Sequence, residues 1–175
     1  AVKERMTKWA EARNERKEAN DARADAGMNQ TPISKPYFSR ELSRQLNENS
    51  IFISELGADV SQFTFDTPGD AYSHSPAGSL GWALGAALGA KLAAPDKTVV
   101  CAVGDGSYTF GVPTAAHITS HMQNLPVLFI VWNNGIWNAV KNAAKNLVPD
   151  GTAVKTDTWT FTALDQDFAY EKICE

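Results

Sequence analysis

The residue types best suited to chemistry lie in two short stretches of the chain. Asp105 stands between Gly104 and Gly106 in CAVGDGSYTF, directly after an apolar run. Asn133 and Asn134 follow a second apolar run, in VLFIVWNNG. Carboxylate and amide oxygens are ligands that Mg²⁺ takes from proteins, while phosphate oxygens and water complete its octahedral shell. The two stretches together predict a site for Mg²⁺ and a diphosphate.

The glycines beside Asp105 predict how a phosphate approaches. Gly104 is expected to permit a tight turn, and Gly106 to expose backbone N–H groups because it has no Cβ. Ser107 adds a hydroxyl group. The spacing of Gly104, Gly106 and Gly111 is not that of a dinucleotide fingerprint, and the Gly-Lys-Ser/Thr of a P-loop is missing.

These stretches need a scaffold that brings them to one edge. The apolar runs 51–54, 98–103 and 127–132 do not alternate with polar residues, as is typical of strands covered on both faces. Helical patterns occupy 37–49, 79–93, 113–122 and 136–145. The alternation predicts an α/β fold, an open parallel sheet with helices on both faces. Ligands of such sheets bind beyond the carboxyl ends of the strands.

Composition limits the classes of partner. The chain has 175 residues, of which 43% are hydrophobic and 21% charged, with a net charge of −4. No basic patch is visible, so we expect no nucleic-acid partner. The most apolar stretch, 77–90, is shorter than the roughly 20 residues of a membrane span. We therefore expect no membrane partner and a cytoplasmic location, with Cys101 and Cys174 as reduced thiols.

The chain divides by composition into two parts. Residues 1–30 are rich in alanine and charged side chains, which predicts a charged helical arm or inter-domain linker. The turn-rich segment NQTPISKP follows, and residues 31–175 are expected to form the folded domain.

Two motifs then identify a family resemblance. GDGS, followed by an apolar strand ending in NNG, resembles the diphosphate-binding motif of thiamine diphosphate enzymes. The segment SPAGSLGWALGAALGAKLAAPDKTVVCAVGDGSYTF resembles the acetolactate synthase, pyruvate oxidase and benzoylformate decarboxylase group. The resemblance covers 32–175 and implies thiamine diphosphate and Mg²⁺ as cofactors. It implies a C-terminal diphosphate-binding domain that is incomplete at its C-terminus. FAD, which some relatives carry, cannot be read from these residues.

The resemblance assigns roles around the diphosphate. The side chains of Asp105 and Asn134 and the backbone carbonyl of Ile136 would hold Mg²⁺. Gly106 and Ser107 would bind the diphosphate itself.

It also implies contacts on the other sides of the cofactor. Gly57 and Ala58, after the first strand, would touch the far side of the diphosphate. The carbonyl of Gly78 would accept a hydrogen bond from the aminopyrimidine, and Leu80 would support the bent cofactor from below. His74 lies four residues before Gly78, where it is a candidate catalytic proton shuttle or, alternatively, an ordinary loop histidine.

The implied activity is thiamine diphosphate- and Mg²⁺-dependent decarboxylation and carboligation of a small 2-oxo acid, like acetolactate synthase. The alternatives are a benzoylformate decarboxylase-like enzyme without ligation, or a binding module without catalysis. In the family, the catalytic glutamate comes from a pyrimidine-binding domain, generally of a neighbouring subunit. We therefore expect a partner domain or subunit, a homo- or hetero-oligomer, and no catalysis by this chain alone.

Other conspicuous residues are given structural explanations. His117 and His121 have i, i+4 spacing but no nearby acid or cysteine, so we expect helix packing and not zinc binding. Glu55, after the first strand, is assigned equally to the site or to solvent. Close backbone packing is expected of three glycines spaced by four, Gly81, Gly85 and Gly89.

Overall fold

The computed structural model describes residues 1–73 and 79–174. The described residues form four strands, β1 (Ser50–Glu55), β2 (Ala71–Ser73), β3 (Thr98–Gly104) and β4 (Val127–Trp132). The helices are α1 (Val2–Ala26), α2 (Lys35–Gln45), α3 (Trp82–Ala93), α4 (Asp105–Phe110), α5 (Pro113–Met122), α6 (Asn138–Leu147) and α7 (Thr152–Thr156). Short 3₁₀ turns cover Val60–Gln62 and Tyr170–Cys174.

The strands form one parallel sheet in the order β2-β1-β3-β4. Glu55 pairs with Val103, and Gly104 pairs with Trp132, so the carboxyl ends of β1, β3 and β4 lie at the same edge. The predicted α/β sheet is confirmed.

Helices cover both faces of the sheet, as predicted. On one face, Ile53, Cys101 and Val103 pack with the buried side of α3 and with α5. On the other, Phe52 and Val100 pack with the α2 residue Leu42. Residues that alternate along one strand therefore serve different cores, which explains why the runs lack polar positions.

The predicted boundaries of three helices are corrected. α6 covers Asn138–Leu147 and not 136–145, and the other two start or end where local backbone chemistry sets the limit. Ser34 accepts a hydrogen bond from the Tyr37 N–H (3.3 Å) and caps α2, which starts at Lys35 and ends before Leu46 turns extended. α3 starts at Trp82, not at 79, because Gly81 has the left-handed φ of 82°.

The expected packing of the three spaced glycines is wrong for two of them. A Cβ on Gly81 would lie 2.6 Å from the Cα of Gly111, so this glycine is needed. At Gly85 and Gly89 a Cβ would meet no atom of residues 1–73 or 79–174 within 4 Å. Only the first glycine therefore makes the predicted close approach.

Helix α1 contacts α2 and the 3₁₀ turn Val60–Gln62. Ala24 is its one buried residue, so most of the helix surface is solvated. It is joined to the domain near its C-terminal end by ion pairs between Arg23 and Asp59 (2.5 Å) and between Arg40 and Asp25 (2.6 Å). The division of the chain near residue 30 stays a prediction. Within 1–73 and 79–174, no helix combines the length and the apolarity needed to cross a membrane.

Candidate functional site

The acid and the amides identified in the sequence meet at the edge shared by β3 and β4. Asp105 is the first residue of α4, directly after β3, and is 2% exposed. Its Oδ2 accepts hydrogen bonds from the N–H groups of Asn134 (3.2 Å) and Gly135 (2.8 Å). Its Oδ1 accepts one from the Gly106 N–H (2.9 Å). The carboxylate is therefore held against the turn that follows β4.

The turn after β4 is shaped by its own side chains. Asn133 Oδ1 accepts a hydrogen bond from the Gly135 N–H (3.0 Å), and Asn134 Oδ1 accepts one from the Ile136 N–H (3.0 Å). Gly135 has a φ of 68°, a value that favours glycine. Since a carbonyl or carboxylate oxygen has two lone pairs, Asn134 Oδ1 and Asp105 Oδ1 each retain acceptor capacity for a cation.

A cavity of about 230 Å³ opens beside this turn. The residues named from the sequence that line it are Leu80, Gly104, Asp105, Gly106, Ser107, Asn134 and Ile136. The structure thus brings together, around one space, residues separated by more than fifty positions in the chain.

Ser107 provides the clearest sign that the cavity receives a ligand. Its side chain is buried at 2% exposure, and its Oγ has no hydrogen-bond partner among the described residues. A buried polar atom without a partner destabilises the folded state by about 1–3 kcal/mol. A hydroxyl in this position is suited to a phosphate oxygen, because it can donate to an anionic acceptor.

The expected reasons for two of the glycines are corrected. Gly104 has an ordinary extended conformation (φ −69°, ψ 151°), so it does not form the tight turn. The N–H of Gly106 already donates to Asp105. Gly106 is required for another reason, since a Cβ there would lie 2.7 Å from the Trp137 ring.

Gly57 and Ala58 do not line the cavity. A Cβ on Gly57 would lie 2.1 Å from the Val103 nitrogen, so this glycine lets the chain press against β3. Ala58 packs against the core on the Phe52 side of the sheet. Leu56, with a φ of 62°, lines the cavity from this loop.

Glu55 faces neither the cavity nor solvent, in contrast to both alternatives raised from the sequence. It is 6% exposed, and its Oε1 and Oε2 accept hydrogen bonds from the N–H groups of Gly81 (2.6 Å) and Ala83 (2.9 Å). These donors belong to the first turn of α3, where a helix has free N–H groups and a positive dipole end. Glu55 is thus a buried helix cap.

The histidines divide between described and undescribed parts of the chain. His74 and Gly78 lie outside the described residues. His117 Nε2 is 2.6 Å from the Tyr108 hydroxyl, and burial lowers the pKa of this imidazole. The Sγ of Cys174 lies 3.5 Å from the same nitrogen, so the expectation that no cysteine is near His117 is wrong. No group of three His, Cys, Asp or Glu side chains that could hold a metal ion is found among the described residues, and the packing role of the two histidines stays a prediction.

Lys35 lines the same cavity and was not identified from the sequence. Its Nζ donates a hydrogen bond to the Leu56 carbonyl (2.7 Å) and lies 5.2 Å from the centroid of the Trp132 ring. Burial lowers the pKa of this ammonium, whereas the charges of Asp59 and Asp105 act to raise it. Topology offered a signal, because the N-terminus of a helix that precedes a parallel strand lies at the ligand-binding edge.

Comparison with known families agrees with this geometry. Residues 54–175, more than half of the chain, match the family described as "Thiamine pyrophosphate enzyme, C-terminal TPP binding domain". The chain belongs to this family. The edge that carries Asp105 and Asn134 lies inside the matched TPP-binding domain.

Proteins similar to this chain include enzymes with different named activities. The chain is 32% identical over 130 residues to benzoylformate decarboxylase of Pseudomonas aeruginosa, covering 71% of this chain and 24% of that protein. It is 27% identical over 141 residues to a probable acetolactate synthase large subunit of Methanococcus aeolicus, covering 75% of this chain and 23% of that protein. The chain spans about a quarter of the length of these relatives.

A solved structure resembles the TPP-binding domain as well. It is the thiamine diphosphate-dependent 4-hydroxybenzoylformate decarboxylase of Rhodococcus jostii RHA1, with a TM-score of 0.68 and 25% sequence identity. The match covers 81% of this chain and 26% of that one. The fold inferred from the sequence pattern is therefore that of one part of a known TPP enzyme.

Proposed function

We propose that the cavity at the ends of β3 and β4 holds the diphosphate of TPP together with Mg²⁺. Asp105, Asn134 and the carbonyl of Ile136 would supply oxygen ligands to the ion. The unpaired, buried Oγ of Ser107 is the observation that carries this proposal. It is an orphaned donor beside oxygen acceptors, an arrangement that suits an anion and a hard cation bound side by side.

The other cavity residues fit the same group. Gly106 packs against the Trp137 ring. Because it has no Cβ, it adds no side-chain bulk beside Ser107 at the start of α4. Leu80 lies on the cavity wall and would pack against the organic part of the cofactor. These residues bind and orient, while bound TPP supplies the electron sink that makes loss of CO₂ from a 2-oxo acid feasible.

The reaction we propose is decarboxylation of a small 2-oxo acid, followed by carboligation as in acetolactate synthase. The names of the relatives support this class and also a second outcome. Benzoylformate decarboxylase and a 4-hydroxybenzoylformate decarboxylase are both similar to this chain. Decarboxylation without ligation is therefore the alternative, and a module that binds TPP without catalysis is a third.

Catalysis would need residues that the cavity does not contain. No described glutamate lines it, since Glu55 caps α3. We propose that a pyrimidine-binding domain or subunit supplies the glutamate for the aminopyrimidine, and that the active form is an oligomer.

The test measures CO₂ release by the protein in its native assembly, from pyruvate and from an aryl 2-oxo acid. We expect turnover only when TPP and Mg²⁺ are both added. Acetolactate as product would support ligation, and an aldehyde would support simple decarboxylation. Bound TPP without turnover on a broad 2-oxo acid panel would leave the binding module as the function.

A further inference from the structure

Lys35 brings a second charged group to the cavity. It occupies the first helical position of α2, and the polarity of this helix places it at the carboxyl edge of the sheet. The side chain is half-buried and lines the cavity beside Asp105 and Ser107. A lysine in this setting is partly removed from water, which destabilises its charged form.

The partners of this ammonium do not balance its charge. An ammonium group has three donors, and the described residues supply Nζ with one acceptor, the Leu56 carbonyl. The ring of Trp132 adds a weaker attraction. No ion pair within 4 Å involves Lys35 in the described part of the chain, although Asp59 and Asp105 are near enough to influence it. The site therefore holds a half-buried cation that lacks a contacting anion.

The residues that line the cavity include both hydrogen-bond donors and oxygen acceptors. Ser107 Oγ is buried without a partner, and Lys35 Nζ has donors to spare. Asp105 and Asn134 offer oxygens. One ligand with both a cation and an anion would satisfy the two sets at once.

We propose that Lys35 binds the terminal phosphate of the diphosphate directly, as a second positive charge beside Mg²⁺. This inference rests on the proposed function of the same cavity. Asp105 would cancel part of the charge of the ion, and Lys35 would restore positive charge where the phosphate oxygens lie. An ammonium on a flexible stem suits this task, because its donors rotate to follow the phosphate.

The test measures binding and does not depend on turnover. Lys35→Met, Lys35→Arg and the control Lys3→Met are prepared in the native assembly, and Lys3 is an exposed residue of α1. Calorimetry with saturating Mg²⁺ gives the affinities for TPP, inorganic pyrophosphate and thiamine monophosphate. Thermal unfolding without ligand shows that each variant is folded.

Lys35→Met is expected to weaken TPP and pyrophosphate binding about 10- to 100-fold, the range for losing a hydrogen bond to a charged group. The affinity for thiamine monophosphate should change far less. Lys35→Arg keeps the charge and should recover part of the loss, and Lys3→Met should bind like the unmodified protein.

The outcomes separate the two proposals. If the unmodified protein binds neither TPP nor pyrophosphate, the proposed function fails. If it binds TPP and Lys35→Met binds equally well, this inference alone is overturned. An equal loss for monophosphate and diphosphate ligands would also overturn it, because the contact would not be with the terminal phosphate.

Discussion

The carboxyl ends of β1 and β3 each have a buried carboxylate, but the two carboxylates have different surroundings. A buried acid stands at the end of each strand: Glu55, at 6% exposure, is the last residue of β1, and Asp105, at 2%, directly follows β3. The two strands are hydrogen-bonded neighbours, so both acids lie at one edge of the sheet. Both accept hydrogen bonds from backbone N–H groups.

The difference lies in what surrounds each carboxylate. α3 starts directly over Glu55, and its first turn takes both carboxylate oxygens. Asp105 instead begins its own helix, α4, and a cavity stays open beside it. An acid at the end of a parallel strand therefore becomes a structural cap or a candidate ligand according to where the neighbouring helix starts.

Gly57→Ala should have the largest effect on stability, because Gly57 lies just after β1 and packs against the backbone of β3. The new Cβ would overlap the backbone of Ala102 and Val103 on β3, and we expect a loss of about 3 kcal/mol in unfolding free energy. Denaturant unfolding measures it. Gly89→Ala, where the Cβ meets nothing, is the control and should stabilise by about 0.5–1 kcal/mol. Equal stabilities would show that the close approach is not tight.

Asp105→Asn and Glu55→Gln test the comparison directly. We expect Asp105→Asn to weaken Mg²⁺-dependent TPP binding by about 100-fold, since the cation loses its charged ligand. Glu55→Gln should lower stability by about 2 kcal/mol by exposing a helix end, without removing the cofactor contacts. The increase in melting temperature on adding TPP and Mg²⁺ is the readout. If both variants lose this shift, the two acids do not have separate roles.

Ser107→Ala should separate stability from binding. Removing a hydroxyl that has no partner should leave the unliganded protein as stable, or more stable by about 1 kcal/mol. TPP affinity should fall by about 10-fold because the phosphate loses a donor. Thermal unfolding and calorimetry measure the two effects. A clear loss of stability without ligand would mean that Ser107 already has a partner.

The smallest effect concerns Cys101, which lies on β3 beneath the capped helix. Burial, with a contribution from the Glu55 charge, raises the pKa of this thiol to about 12 from 9.0. Between pH 9 and pH 12 the Cys101 thiol is deprotonated in the unfolded chain and still protonated in the folded chain. The free energy of unfolding should therefore fall as pH rises above 9. At pH 8, a thiol reagent should label the exposed Cys174 and not Cys101. Comparable labelling of both would contradict the burial.

Much of the fold could be predicted from the sequence, because apolar runs indicate buried strands and helical periodicity indicates helices. The limits of β4 (Val127–Trp132) and α5 (Pro113–Met122) were predicted as observed. β2 was missed because its three residues, Ala71–Ser73, are partly exposed and form no apolar run. The sequence predicts a turn where the structure has α4, because Asp and Gly at its start are also turn residues.

The site was predictable to the extent that it lies in contiguous motifs. Asp105, Ser107 and Asn134 line one cavity, as expected of residues that come shortly after neighbouring strands, and their roles toward a cofactor stay predictions. Lys35 and the role of Glu55 were not predicted, because each depends on a helix packed from a distant part of the sequence. Gly57 was expected beside the diphosphate but does not line the cavity. The sequence does not show how closely the Gly57 backbone lies against β3, because that contact forms only when the sheet packs.

The attachment of α1 has a consequence for how the chain responds to salt. A helix of 25 residues is a rod of about 38 Å. Near its C-terminal end it is attached by two ion pairs, each between an exposed and a mostly buried side chain, by hydrogen bonds of Asn20 and by the buried Ala24. Salt screens such pairs, whereas it leaves an apolar core intact. Rising ionic strength should therefore weaken the attachment of α1 while the sheet keeps its shape.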